Sequence, residues 1–163
     1  MFLILFYASE ACNFFQKKFL LYESKIKKLF YHQQFFCQNQ NIFNNKYLEE
    51  KLKFIKIKFD NDYFGMFVYK KKDVVSNSIL KKGIWEDKET KSILIALSYY
   101  SIKLNLPKKD IYVLDIGSNI GWYSLILGKK GYQVISFEAS NFNYYILKTI
   151  KIKLKIEYVC VIH

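Results

Sequence analysis

The chain contains no arginine: its 26 basic residues are all lysines, set against 14 acidic ones for a formal net charge of +12. That absence weighs against reading the charge as a phosphate grip, because the planar guanidinium fork is the side chain suited to bidentate phosphate binding. The lysines are spread along the sequence among Ile, Phe, Tyr and Asn, so the expectation is a solvated lysine surface and no specific nucleic-acid partner. Histidine occurs twice, as His32 and His163, and the three cysteines, Cys12, Cys37 and Cys160, form no CxxC pair. That spacing weighs against a zinc site, and an odd number of distant cysteines fits reduced thiols better than a disulfide framework. Proline occurs once and hydrophobic residues make up 52% of the chain, so a packed core is expected and wholesale disorder is not.

Long apolar runs are also missing. The N-terminal stretch Phe2 to Ala8 has no basic segment before it and is far shorter than the roughly 20 residues of a membrane span, so it reads as neither signal nor anchor. The cytoplasm is the default compartment, with a signal-anchor starting upstream of Met1 as the alternative. Membrane association and oligomeric state stay open.

What is present divides into three parts. Residues 1–52 read as a mainly helical extension, with Phe15, Phe19, Tyr22, Ile26, Leu29 and Phe30 at spacings of three and four. Residues 53–107 read as a β-hairpin, 54–59 and 63–69 around Asp60-Asn61-Asp62, followed by two helices. The first helix spans Val74 to Lys82 and is closed by Gly83; the second runs from about Glu86 to Lys103, with Ile93, Leu94, Leu97 and Tyr100 on one face.

Residues 108–163 carry the chemistry. Ile111 to Asp115 is a short β-branched run suited to a buried parallel strand, and Gly117-Ser-Asn-Ile-Gly121 follows as a glycine turn. A helix from Trp122 to Lys130 is ended by Gly131, and Gln133 to Glu138 forms a second strand with a carboxylate at its end. This is a βαβ unit with a nucleoside-binding layout. Gly117 and Gly121 let the backbone turn sharply and leave main-chain atoms accessible, and the amides at the helix start face a ligand's polar edge. Asp115 offers negative charge to an ammonium or sulfonium, and Glu138 can accept both hydroxyls of a ribose. A pyrophosphate fingerprint starting at Gly117 would need glycine at 119 and 122, where the chain has Asn119 and Trp122, so the pattern favours a methyl-donor site over a dinucleotide site.

Val113-Leu-Asp-Ile-Gly-Ser-Asn-Ile-Gly-Trp-Tyr-Ser124, with Val134-Ile-Ser-Phe-Glu138 after it, resembles the first two cofactor motifs of the FkbM-type methyltransferases, usually close to VLDIGANIGYYS and VIAFEP. The upstream Val75 to Glu86 and Thr90 resemble the lead-in to the first motif, and the similarity covers about residues 73–148. The resemblance implies an α/β fold: an incomplete class I methyltransferase, Rossmann-like parallel sheet preceded by a helical and β-hairpin region. It also implies S-adenosylmethionine as cofactor and methyl transfer to a hydroxyl of a small-molecule or glycan acceptor. Matching positions give Asp115, Gly117, Asn119, Gly121 and Glu138 as cofactor contacts, with Glu86 at the rim. Ser118 replaces the usual Ala, and Ala139-Ser140 replaces a proline-containing turn. Of the seven strands that such a domain uses, this chain carries three candidates, the third at Glu157 to Ile162, so 108–163 is expected to be a truncated core, inactive alone, with Val159 and Val161 exposed at an open edge. No general base is identified. An oxidoreductase fragment binding an NAD-type nucleotide and a non-enzymatic basic module are the alternative readings.

Overall fold

The structure is a computed structural model that describes residues 50–163, apart from 72, 155 and 157, together with one N-terminal strand, β1 (Phe2–Phe6). The helical stripe expected from Phe15 to Phe30, and with it His32, Cys12 and Cys37, lies outside the described residues.

Strands β2 (Leu52–Phe59) and β3 (Asp62–Tyr69) form the expected hairpin, with Leu52 opposite Tyr69 and Phe59 opposite Asp62. Asp60, at φ 54°, and Asn61 make its turn, and both are residue types whose short polar side chains suit turn conformations. Alternation along the ribbon turns Ile57, Phe59, Phe64, Met66 and Val68 toward the core. Helix α1 (Val74–Lys82) starts where the Asp73 carboxylate accepts the Ser76 amide at 2.6 Å and stops at Gly83, as its punctuation predicts.

Helix α2 (Asp87–Lys103) departs from its expected stripe at one end. Leu97 is completely buried, but Tyr100 is 44% exposed and meets Tyr99 edge-on at 5.6 Å. The neighbouring Ser101 is half-buried in its place, donating its hydroxyl to the Leu106 carbonyl at 2.6 Å, so the last turn is held by a polar contact rather than an apolar one.

The remainder is β4 (Tyr112–Ile116), α3 (Trp122–Lys129), β5 (Gln133–Phe137), α4 (Asn141–Leu154) and β6 (Val159–Ile162). The strands run parallel in the order β4-β5-β6, with Asp115 beside Ser136 and Ser136 beside Val161. β1 pairs antiparallel with the other edge of β4, Phe2 opposite Ile116, so the apolar N-terminal run includes a strand. The described chain is thus an α/β protein built on a three-strand parallel sheet with helices. The Ile/Lys alternation after Ile150 belongs to α4, whose buried Ile146, Leu147 and Ile150 keep helical spacing.

One face of this sheet carries Val113, Asp115, Val134, Ser136, Val159 and Val161, and α3 covers it, since its Ser124 hydroxyl contacts both Asp115 and Ser136. Val159 and Val161 are therefore buried, at 0% and 2% exposure, which corrects the expectation that they line an open surface. The physical reason is the cover of α3 over this face, and at Val159 it is Gly128: a Cβ there would lie 2.5 Å from Val159 Cγ2, so glycine lets helix and strand approach closely. No helix among the described residues is long and apolar enough to cross a membrane.

Candidate functional site

At the carboxyl end of β4 the chain enters the left-handed region three times in five residues, at Gly117 (φ 76°), Asn119 (φ 51°) and Gly121 (φ 91°). The amides of Gly117 and Ser118 both donate to the Phe137 carbonyl, at 2.9 and 3.1 Å, which ties the loop to the end of β5. The two glycines have different tasks. A Cβ on Gly121 would lie 2.3 Å from Leu147 Cδ1, so this glycine seats α4 against the start of α3. A Cβ on Gly117 would meet nothing within 4 Å, so this glycine leaves open space beside an exposed stretch of main chain.

Glu138, the first residue past β5, closes the loop from the other side. Its Oε2 accepts the Asn119 amide at 2.7 Å, its Oε1 accepts the Ser140 amide at 2.8 Å, and its own amide donates to the Ile162 carbonyl at 2.9 Å. The Asn119 side chain is fixed in turn, since its Oδ1 accepts from Asn143 Nδ2 at 3.0 Å while Asn143 Oδ1 accepts the Tyr69 hydroxyl at 2.5 Å. The carboxylate at the end of β5 therefore organises the glycine loop of β4 through a main-chain amide. Asn143 and Tyr69 carry no sequence signal for this role, because hydrogen-bond partners 74 positions apart are brought together only by packing of the hairpin against α4.

Asp115 is fully buried, with Oδ2 accepting the Ser124 hydroxyl at 2.5 Å. Ser124 has its single proton committed to Asp115, so at the 2.6 Å contact between the two serine hydroxyls Ser136 is the donor. Oδ1 of Asp115 has no hydrogen-bond partner. Burial pushes this carboxyl up from the usual 3.8 to about 6, opposed by the hydrogen bonds of Ser124 and reinforced by the charge of Glu138. Between those two values the folded protein holds a proton that the unfolded chain releases, so stability falls as pH rises through the window. At pH 7 this group costs on the order of 3 kcal/mol relative to a neutral one, and the cost vanishes below about pH 4. Asp115→Asn is accordingly expected to raise the urea midpoint at pH 7 and to match the parent near pH 4; an Asn-minus-parent difference that does not change with pH contradicts this account of the carboxyl.

Glu86 precedes α2 with φ 44° and ψ 56°, a left-handed conformation that costs a non-glycine residue about 1–2 kcal/mol. Its carbonyl accepts the amide and hydroxyl of Thr90 at 2.9 and 2.7 Å, and its Oε2 accepts the Tyr123 hydroxyl at 2.5 Å. Burial, then the hydrogen bond and charge of Glu86, hold that phenol well above its usual range, so it remains a donor. Trp122 donates Nε1 to Thr90 Oγ1 at 3.0 Å and packs edge-on against Phe59 and Phe64, both at 6.0 Å between centroids. The structure thus brings Asp115, Gly117, Asn119, Gly121 and Glu138 together at adjacent strand ends and sets Glu86 against the first turn of α3.

Among the described residues no group of three or more His, Cys, Asp or Glu is placed to hold a metal ion. Comparison of the chain with protein-family models, with curated proteins and with solved structures finds no match in any of the three.

Proposed function

We propose that the carboxyl ends of β4 and β5 bind S-adenosylmethionine, and that the chain carries the cofactor-binding part of a class I, Rossmann-like methyltransferase of the FkbM type acting on a hydroxyl of a small-molecule or glycan acceptor. One observation carries the reading: the Glu138 carboxylate lies at the strand end next to a glycine loop that opens to solvent at Gly117, and it already holds that loop through the Asn119 amide.

The residues present fit such a ligand. Each carboxylate oxygen of Glu138 accepts one main-chain amide and retains a lone pair, which suits the paired donors of a ribose diol. Open space at Gly117 admits a ligand against the main chain. Asp115 is buried and has no cationic partner among the described ion pairs, so once ionised its field favours a cation bound at the loop. Glu86 with Tyr123 forms the polar rim. The positions that a pyrophosphate would need bare are filled, since Asn119 is held by Asn143 and Trp122 is buried beneath the hairpin. S-adenosylmethionine supplies the electrophilic methyl group on its sulfonium; the chain's part is to hold the cofactor in one orientation.

Calorimetric titration of the purified chain with S-adenosylmethionine, S-adenosylhomocysteine and NADH tests the reading. Saturable binding of the first two, each tighter than NADH, is expected, and preference for NADH overturns it in favour of a nucleotide-dependent oxidoreductase.

A further inference from the structure

The outer face of the β2–β3 hairpin carries two lysines of β2 and gains a third from the distant α4. Register places Phe54 opposite Phe67, Lys56 opposite Gly65 and Lys58 opposite Tyr63 on this face. Phe54 and Phe67 meet edge-on at 5.0 Å, and the Phe54 ring lies over Gly65, where a Cβ would come within 2.3 Å of it. Lys153, from the last turn of α4, sets its ammonium 4.2 Å from the centre of the Phe54 ring and 5.5 Å from that of Phe67. Lys56 and Lys58 lie 4.6 and 6.0 Å from the centre of Tyr63. Phe54 and Tyr63 remain 38% and 52% exposed.

The two carboxylates of the hairpin turn are already committed. Asp60 and Asp62 at the hairpin turn both pair with Lys130, at 3.1 and 2.7 Å, and none of the ion pairs among the described residues uses Lys56, Lys58 or Lys153. The result is a ribbon of ring, ammonium and ring whose lysines pair with no acid among the described residues, extending about 13 Å from residue 54 to residue 58 at the usual strand rise.

We propose that this face binds single-stranded nucleic acid. The ammonium groups complement a phosphate backbone, and the exposed rings complement unpaired bases, which a duplex keeps stacked inside. Exposed lysine-on-ring contacts are weak enough to exchange for phosphate and base contacts. The inference is independent of the methyl-donor reading, since it concerns another surface and another ligand.

Fluorescence anisotropy of the full chain with a short labelled oligo-dT tests it. Three phosphate contacts predict a slope of log K against log salt of about −2 for a single strand. Replacing the three lysines together, K56Q with K58Q and K153Q, is expected to flatten that slope and to weaken binding at least about tenfold at low salt. Tyr63→Ala is expected to weaken binding by about fivefold or more with the slope unchanged, because it removes stacking and no charge. Binding by both variants at parent level overturns the proposal. So does equal affinity for a duplex of the same length, or capture by vesicles rich in phosphatidylserine without binding to the oligonucleotide.

Discussion

Gly117→Val is expected to weaken S-adenosylmethionine binding by on the order of 100-fold, about 2.8 kcal/mol, while the protein stays folded. Nothing lies within 4 Å of a Cβ at this position, so the side chain enters open space, the space assigned to the proposed ligand. The φ of 76° adds backbone strain of about 1–2 kcal/mol, a tolerable loss for a domain. Gly121→Val is the contrasting variant, since its side chain runs into the buried Leu147 and its φ is 91°; its damage is to folding. Glu138→Ala should match Gly117→Val in binding for a different reason: it removes the acceptor for a ribose and leaves the amides of Asn119 and Ser140 without their partner. Calorimetry on Gly117→Val and Glu138→Ala decides the matter, and affinity equal to the parent in both places the pocket elsewhere.

Trp122→Ala is expected to cost about 3–5 kcal/mol of unfolding free energy, read as a lower urea midpoint. Trp122 is 2% exposed and joins three elements: its ring packs on Phe59 of β2 and Phe64 of β3, and its Nε1 donates to Thr90 of α2. Truncation empties that junction, and the hairpin loses its main aromatic contact with α3. Trp122→Phe keeps a ring there and loses the hydrogen bond, so a cost of about 1–2 kcal/mol is expected. Equal midpoints for parent and Trp122→Ala would show that the hairpin is held by other contacts. This residue also explains why the glycine pattern stops short of a dinucleotide fingerprint: the position that would need glycine is used to seat the hairpin.

The parallel unit was legible because its signals are local. A β-branched run, glycines at the turn and an acid at the second strand end each follow from short-range stereochemistry, and they recur in the structure at β4, the loop 117–121 and Glu138. Contacts between distant segments were not legible. Burial of Val159 depends on Gly128 allowing close approach, and the exposure of Tyr100 depends on Ser101 turning inward, neither of which periodicity reveals. The same holds for the site. Asp115, Gly117, Asn119, Gly121 and Glu138 could be proposed from their order, whereas Ser124 and Ser136 around Asp115 and the Asn143–Tyr69 brace behind Asn119 arise only from tertiary packing. The placement of Lys153 was hidden for the same reason, since it reaches the rings of Phe54 and Phe67 only when α4 packs beside the hairpin.

Amide chemical-shift mapping with S-adenosylhomocysteine tests the central claim most directly, because it asks which residues sense the ligand as well as whether it binds. Resonances of Gly117, Ser118, Asn119, Glu138 and Ser140 should shift together and saturate at one affinity, with Gly65 and Gly83 on the hairpin and α1 unmoved. No shift at saturating ligand, or shifts centred on residues outside the ends of β4 and β5, would contradict the assignment of this site to a methyl donor.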